Sequence, residues 1–504
     1  MLQYRTAGTY RFECTKLDTL NRPEWDYSAT QAGIERQNYH YYQYQNNPTI
    51  TYTQQYETGV FKRTVGWQTL DFSGAPTGNC DGLSNCTYYT TDTLGRPVQE
   101  SVWVGSTLVR QTSSTYVTSG VNTGMMNTVT STANGNLAST FTYQADGDLA
   151  SVNYGNVFSL FVGYDSADRA NKLDWRKGIS QAGALLASDE TVMSRSGRVV
   201  DQLIDGVDES PGLNAFTYDN VGRLTAAIPA TGQTMSYSFG TASCGDTNAG
   251  KNGNRVSKTV NGVATAFCYD NADRLTSIGG VSGTAVTYDT LNRTAGIGTR
   301  GFGYNAFNEH ATTTTTGQVA TLERDSFHRV LRRTAGTGVG SDVWYGYASN
   351  GSDAAAYTAT ITGGTTTVVD VMGSLPGGVG VTRTVSTGVY KYSLPNRHGS
   401  LLAVADSAGN KIGSTYKWDP DGMPITGTTQ PDLLTGNLEN GWLAQHYRPV
   451  DTTDTTMPVI EMGARPYLPS TGRFLTETVG FWGRFWWIMG WWWSRFVFGW
   501  FWRV

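Results

Sequence analysis

Charge is scarce in this chain of 504 residues: Asp, Glu, Lys and Arg make up 15% of it and the net charge is −4, where soluble domains average about 25%. No basic patch points to nucleic acid, and no acidic tail points to a cationic partner. No stretch keeps an apolar period of 3.6 over helical length, which excludes a helical bundle. There is no CxxC and no Cys/His cluster, so a zinc site is not expected. His40, His310, His328, His398 and His446 are scattered without ligand or catalytic spacing. The opening MLQYRTAGTYRF has neither a charged n-region nor an apolar h-region, so no signal peptide is visible.

Five cysteines give a weak compartment signal. Cys80 and Cys86 bracket a Gly/Asn-rich loop, and Cys244 and Cys268 bracket a candidate hairpin through Asn252–Val263. Two local disulfides, with Cys14 left over, fit an oxidising compartment; five free buried thiols are the other reading.

What is abundant is one short turn, written ten times: KLDTLNRP, TDTLGRP, YQADGDL, YDSADRA, MSRSGRV, YDNVGRL, YDNADRL, YDTLNRT, YNAFNEH and RDSFHRV. The fifth position of the aligned turns holds Asn21, Gly95, Gly147, Asp168, Gly197, Gly222, Asp273, Asn292, Asn308 and His328. These residue types tolerate positive φ, so a left-handed position is specified each time. Arginine follows it in eight of the ten copies, which fixes the turn as a repeated unit rather than a chance match. Aromatics at period two lead in (Phe216 and Tyr218, Phe267 and Tyr269, Phe302 and Tyr304), the mark of a strand with one buried face. The Asp after the Tyr (Asp165, Asp219, Asp270, Asp289) is placed to accept from turn N–H groups. Beyond the turn, Leu224, Ala226 and Ile228 resume the alternation until Gly232. Each copy therefore reads as a strand–turn–strand hairpin. The repeat-turn residues that matter most are Tyr218, Asp219, Gly222, Arg223, Tyr269, Asp270, Asp273, Arg274, Tyr288, Asp289, Asn292 and Arg293. Arg223, Arg274 and Arg293 are expected near the Tyr or Asp of a neighbouring hairpin, as a ladder along the sheet.

Three catalytic look-alikes reduce to turns. Gly296, Gly298 and Gly301 spell GxGxxG but run into β-patterned residues, not a helix N-terminus. Gly245, Gly250 and Lys251 approach a phosphate loop, with Asn252 where Ser or Thr should hold magnesium. Asp146 with Asp148, and Asp419 with Asp421, are turn acids more readily than calcium ligands. No catalytic, cofactor or metal residues are assigned, and a non-enzymatic chain is expected.

The repeated turn resembles the tyrosine–aspartate (YD) repeat of the rearrangement-hotspot (Rhs) family, which includes the teneurins and the toxin-complex shells. Residues 395–424, PNRHGSLLAVADSAGNKIGSTYKWDPDGMP, resemble the opening of that family's repeat-associated core, on His398, Gly399, Ser400, Tyr416, Asp419 and Gly422. Residues 461–475, EMGARPYLPSTGRFL, resemble its end, on Met462, Gly463, Ala464, Arg465, Tyr467, Pro469, Gly472, Arg473 and Phe474. The resemblance implies an all-β fold: a long strip of antiparallel hairpins wound into a spiral shell or barrel, incomplete in this chain. It divides the chain into a hairpin strip (1–340), a core (341–478) and a Trp-rich tail (479–504). Toxin-bearing members hold a C-terminal domain inside and free it by self-cleavage after the core. This sequence departs from that pattern: Leu468 replaces the Asp before Pro469, Thr478 and Val479 stand for an Asp-Pro pair, and the protease aspartates are missing. Only 29 residues follow Leu475. Autoproteolysis and a toxin on this chain are therefore not carried over.

From Phe481 to Val504 the sequence holds eight of the fifteen Trp, interrupted by Arg484 and Arg495. A membrane-contacting anchor and a coding-frame disruption both fit, and neither predicts ordered packing into the sheet. The function expected is a shell or scaffold of an Rhs-type polymorphic toxin or cell-surface protein, extracellular and bacterial. Its partners would be a toxin payload or a cell-surface protein. The alternative is a surface adhesion or carbohydrate-binding repeat protein, suggested by the Tyr and Trp content.

Overall fold

Runs rich in Thr, Val and Tyr, broken every few residues by a left-handed position, give strands and tight reversals and little else. In the computed structural model the described residues lie between 2 and 476, leaving out 7–8, 31–37, 45–49, 58–59, 71–75, 82–84, 231, 306–308, 326–328, 337–340, 349–353, 426–437, 447, 452–456 and 464. Before residue 67, side chains are described only at 15–22 and 24. The turn residues Asn308 and His328, the side chain of Cys14 and the whole tail from 477 fall outside the described residues.

An 18-stranded sheet runs from Leu2–Thr6 to Val207–Asp208, a 19-stranded sheet from Phe216–Tyr218 to Lys411–Ile412, and a 5-stranded sheet from Leu438–Asn440 to Arg473–Phe474. Each strand pairs antiparallel with the next in the chain. The fold is all-β, and the sheets are open rather than closed into a barrel. Among the described residues no α-helix occurs, and no helix is long and apolar enough to cross a membrane.

The main core forms where the sheets pack face to face. Val102, Val129, Val152, Phe158, Leu160 and Trp175 of the first sheet meet Leu375, Val379, Tyr392, Leu394 and Leu402 of the second. Two ring polar groups bond across this interface: Trp175 Nε1 donates to Pro395 O at 3.0 Å, and Tyr154 Oη to Pro376 O at 2.6 Å. A second core joins Phe267, Tyr269, Val286, Ile297 and Phe302 to Val459, Leu468 and Leu475, so the small third sheet covers this part of the second.

The strands on either side of all ten repeated sequences pair as hairpins, each with one register shift. Tyr218 pairs with Leu224, while Thr217 already pairs with Ala226 and Phe216 with Ala227. The left-handed residue forces this bulge. It corrects the expected alternation: Leu224 and Ala227, not Leu224 and Ala226, share the face of Phe216 and Tyr218. The same three-residue step gives Leu149 and Val152, and Leu275 and Ile278.

Cys80–Cys86 and Cys244–Cys268 are disulfides. The hairpin that follows Cys244 is shorter than expected. Its strands are Ser257–Val260 and Val263–Tyr269, turning at Asn261 (φ 48°) and Gly262 (φ 82°). Asn252–Val256 lie in a loop instead, because the side chains of Asn252 and Asn254 bond to the Asp273 carboxylate of the next turn. The GxGxxG glycines are hairpin residues: strands Thr294–Ile297 and Arg300–Tyr304 reverse at Gly298.

Trp175 is fully buried at the join of the two large sheets. Trp175→Ala should lower stability by about 3–5 kcal/mol, and Trp175→Phe, which loses the bond to Pro395, by about 1 kcal/mol more than its lost packing alone. Urea unfolding of the three proteins reads both. Equal midpoints would show that the sheets do not depend on this contact.

Candidate functional site: the turn ladder and the core clasp

Eight of the ten fifth positions are described, and all eight have positive φ: Asn21 (60°), Gly95 (77°), Gly147 (98°), Asp168 (61°), Gly197 (80°), Gly222 (89°), Asp273 (61°) and Asn292 (60°). In the turn at Asp219, the Asp219 N–H donates to Arg223 O and the Gly222 N–H to Asp219 O, both at 2.9 Å. Asp219 Oδ1 accepts from the N–H of Val221 (3.1 Å) and Arg223 (2.8 Å), and Oδ2 accepts from Arg223 Nε (2.7 Å). One carboxylate thus closes the loop and fixes the arginine. The turns at Asp18, Asp92, Asp165, Asp270 and Asp289 repeat this arrangement. At Asp165 the Arg169 guanidinium, and then its backbone N–H, hold the carboxyl below the ordinary range.

In the turns headed by Asp the arginine pairs with that Asp, within its own turn. Its far side does reach the next hairpin. Arg96 lies 4.1 Å over Tyr116, Arg198 5.5 Å over Tyr218, Arg274 5.4 Å over Tyr288, Arg293 4.4 Å over Tyr304 and Arg329 4.0 Å over Tyr347. Arg223 covers Phe239 at 4.3 Å. Each of these tyrosines donates back to the carbonyl just after the arginine: Tyr116 to Pro97, Tyr218 to Val199, Tyr288 to Leu275, Tyr304 to Thr294 and Tyr347 to Val330, at 2.7–2.8 Å. Asp, Arg and Tyr are therefore one unit spread over two hairpins. Burial first pushes the Tyr288 and Tyr304 hydroxyls up, against the opposing charge of nearby arginines.

The ladder changes where its arginine is missing. In the third copy Asp148 stands in its place, and Asp146, Asp148 and Asp168 come together at the surface. In the core, three further turns of the same geometry occur at Gly399 (φ 85°), Gly409 (φ 74°) and Gly422 (φ 100°), headed by Asn396, Asp406 and Asp419. At Asp419, Oδ1 accepts from Asp421 N and Met423 N, and Met423 occupies the arginine position. Oδ2 is consequently open to Lys258 of the hairpin strip, at 2.8 Å. Lys258 also meets Asp421 (2.8 Å), and Arg255 grips both oxygens of Asp421 (2.9 and 2.8 Å). These two turn acids, Asp419 and Asp421, are thus held by two side-chain cations. Burial first raises the Asp419 carboxyl, against the pull of Lys258.

The core's end completes this clasp. Tyr467 Oη donates to Asp421 O (2.9 Å), and Arg255 Nη2 to Thr471 O (2.8 Å). Gly472 has φ 68°, and a Cβ there would lie 2.8 Å from the Arg255 guanidinium and 2.9 Å from the Asp421 carboxylate, so a side chain would push against the clasp. Arg473 lies 5.1 Å over Tyr269 and donates to Asn254 and to Asp273 O, taking the place a strip arginine fills elsewhere. Phe474 packs edge-on to Tyr467 at 5.4 Å, under the Arg465 guanidinium (3.9 Å), and Gly463 (φ 71°) turns the strand into Arg465. Tyr416 anchors its segment by its N–H to Leu402 O at 2.7 Å. The His398 ring lies tilted by 38° against Trp442, with centroids 5.5 Å apart.

A second clasp was not legible. Glu461 is buried against the strip, with Oε1 2.8 Å from His310 Nδ1 and Oε2 bonded to Arg324. His310 Nε2 is 2.9 Å from Thr313 Oγ1. The spacing resembles a triad, and every member is buried where strip and core meet. Burial alone would raise Glu461; the charges and hydrogen bonds of Arg324 and His310 outweigh it and bring the carboxyl to about 2. Arg333 and Asp451, both buried, form a third such pair at 3.0 Å. Partners more than a hundred residues apart leave no local pattern to read.

No family model matches this chain, and no curated protein matches it. Solved structures do. The Photorhabdus luminescens Tc holotoxin pore with a TccC3 mutation aligns over 94% of this chain and 26% of its own, at 14% identity and a TM-score of 0.56. The crystal structure of TcdB2–TccC3 aligns over 93% and 27%, at 14% identity and a TM-score of 0.55. This chain has the fold of a stretch of those Tc-toxin chains. It spans about a quarter of their length. TcdB2–TccC3 lacking its hypervariable C-terminal region aligns equally, over 93% of this chain at a TM-score of 0.54.

Two predictions follow from the geometry. At Asp168, Asp168→Gly should be tolerated, whereas Asp168→Val should cost about 1–2 kcal/mol, read as a difference in thermal midpoint; equal behaviour would deny the left-handed requirement. Glu461→Gln should cost about 3–5 kcal/mol, since it removes the carboxylate paired with the buried Arg324 guanidinium. Glu461 titrates lower when folded than its ordinary 4.5. Its contribution is therefore complete above about pH 4.5 and lost as the pH falls toward about 2. A stability–pH profile of wild type should show that loss, and Glu461→Gln should flatten it.

Proposed function

We propose that this chain is a non-enzymatic segment of an Rhs-type YD-repeat shell, a scaffold in a polymorphic-toxin or cell-surface system. The observation that carries the reading is the alignment of 93–94% of the chain with Tc-toxin chains, joined to a ladder whose Tyr, Asp, Gly and Arg are the residues of the YD repeat. The polar clusters are consumed in holding strip and core together: Asp419 and Asp421 on Lys258 and Arg255, Glu461 on Arg324 and His310. These side chains are largely buried, which supports a structural role for them. A toxin payload or a second shell component would be the partner, and the two disulfides favour an oxidising, extracellular setting. Adhesion to carbohydrate is less well supported, because the ladder tyrosines have one ring face covered by arginine and the hydroxyl bonded to backbone.

Two measurements test this. On prolonged incubation the purified full chain should keep its mass; a discrete fragment ending near residue 475, insensitive to added protease inhibitors, would overturn the non-enzymatic reading. An unfolded reporter fused after Leu475 should be digested more slowly when attached to the wild-type chain than to Glu461→Gln, whose core is loosened. Digestion at one rate in both, together with specific binding on a glycan array, would replace the shell by the adhesion reading.

A further inference from the structure

Each ladder arginine has an anion of its own, with one exception. Wherever a described repeat turn is headed by Asp, an arginine closes it, and Oδ2 of that Asp accepts from the arginine Nε at 2.6–2.8 Å. Where the leading acid is replaced by an amide, at Gln144 and Asn305, the arginine is replaced as well, by Asp148 and Glu309. Acid and arginine are thus kept together or lost together. The turn Met193–Arg198 breaks this rule. Ser194 stands in the place of the Asp, Arg198 is retained, and Arg195 adds a cation at a position that is uncharged in every other copy.

The backbone of this turn is that of its neighbours. Gly197 has φ 80°, the Ser194 N–H donates to Arg198 O (2.8 Å), and the Gly197 N–H donates to Ser194 O (3.0 Å). Ser194 Oγ accepts from the Arg198 N–H (3.1 Å), as an Asp oxygen does elsewhere, and lies 3.0 Å from Ser196 Oγ. A serine has no second oxygen to meet the guanidinium. Among the described residues neither Arg195 nor Arg198 has an ion pair. The carboxylates heading the two adjoining repeat turns are taken, Asp165 by Arg169 and Asp219 by Arg223. The Arg198 guanidinium is nevertheless held in place. It lies 5.5 Å over the Tyr218 ring, and a Cβ at Gly222 would come within 2.6 Å of its Nη2. Arg195, Ser196 and Arg198 are exposed.

We propose that the turn Ser194–Arg198 binds a dianionic oxyanion of the phosphate type, as the free ion or a monoester. The anion sits at the guanidinium edge that Asp Oδ2 occupies in the sister turns. Arg198 offers that edge as a planar fork suited to paired oxygens. Of the two serine hydroxyl protons one bridges Ser194 and Ser196, and the other is available to the ligand. A dianion matches the charge, because this turn carries two cations and no acid where each Asp-headed turn pairs one with one. The inference does not rest on the shell reading.

Hydrogen exchange of the full chain at about pH 7.5 tests the site, in about 20 mM phosphate against chloride at matched ionic strength. Amides of 193–198 should exchange roughly threefold more slowly in phosphate, while the turn Asp165–Arg169, which carries its own carboxylate, stays unchanged. Glycerol phosphate in place of inorganic phosphate separates the sources: slowing by the ester assigns the site to a monoester, and slowing by the inorganic ion alone assigns it to the free ion. Ser194→Asp supplies the anion from within the chain, so its turn should be slow in chloride and indifferent to phosphate. Arg198→Gln should lose the response. No slowing in wild type with either phosphate would overturn the proposal. So would an undiminished response in Ser194→Asp, or slowing by acetate as strong as by phosphate. Should Arg198→Gln fail to fold, Ser194→Asp decides alone, since it restores the residue of the sister turns.

Discussion

The left-handed residue at the fifth position of each turn is the constraint on which the rest depends. It sets the loop at three residues, and the bulge that follows shifts the phase of the returning strand. The shift brings Tyr218 opposite Leu224, with Ala227 on the same face. Asp219 can then reach two turn N–H groups and one guanidinium, and Arg223 is held facing the next hairpin. A single backbone conformation thus determines which side chains meet across neighbouring hairpins. With about one arginine per hairpin, a chain poor in charge can still align a long sheet. Each contact is modest alone, since partly exposed ion pairs and cation–π contacts contribute about 0.5–1 kcal/mol each; repetition makes them specific.

The core is built from the same turn with one residue changed. Replacing the arginine by Met423 leaves half of the Asp419 carboxylate unfilled, and Lys258, 161 residues earlier, fills it. Conversely, Arg473 supplies a cation over Tyr269 from the far end of the chain. The ladder's vocabulary therefore serves both for stacking hairpins and for fastening the core on them. Where the arginine is lost without such a substitute, as at Asp148, carboxylates are left facing one another at the surface.

Much of the fold was legible because its rules are local. Asn, Asp and Gly at fixed offsets declare a hairpin, and eight described positions have the φ this requires. The exact phase of the strands was less legible: Ala226 and Ile228 look like core residues by alternation, but the bulge turns Ala227 inward. The loop Asn252–Val256 looked like a strand because its alternation is fortuitous; its asparagines are spent on Asp273. The core residues Gly472 and Arg473 stood out by resemblance, whereas Arg255, Lys258, His310 and Glu461 carried no mark, since their partners are distant in sequence.

The sequence by itself determined an all-β chain of hairpins, the place of every described repeat turn and the arginine that follows most of them, because these depend on backbone preferences within five or six residues. Tertiary structure alone decided that the two long sheets pack face to face through Trp175 and Pro395. It also decided that Asp419 and Asp421 meet Lys258 and Arg255, and that Trp442 lies beside His398 and Tyr467. Those pairings are set by how the sheets curve and dock, which sums small twists over many strands and leaves no trace in any short window of residues.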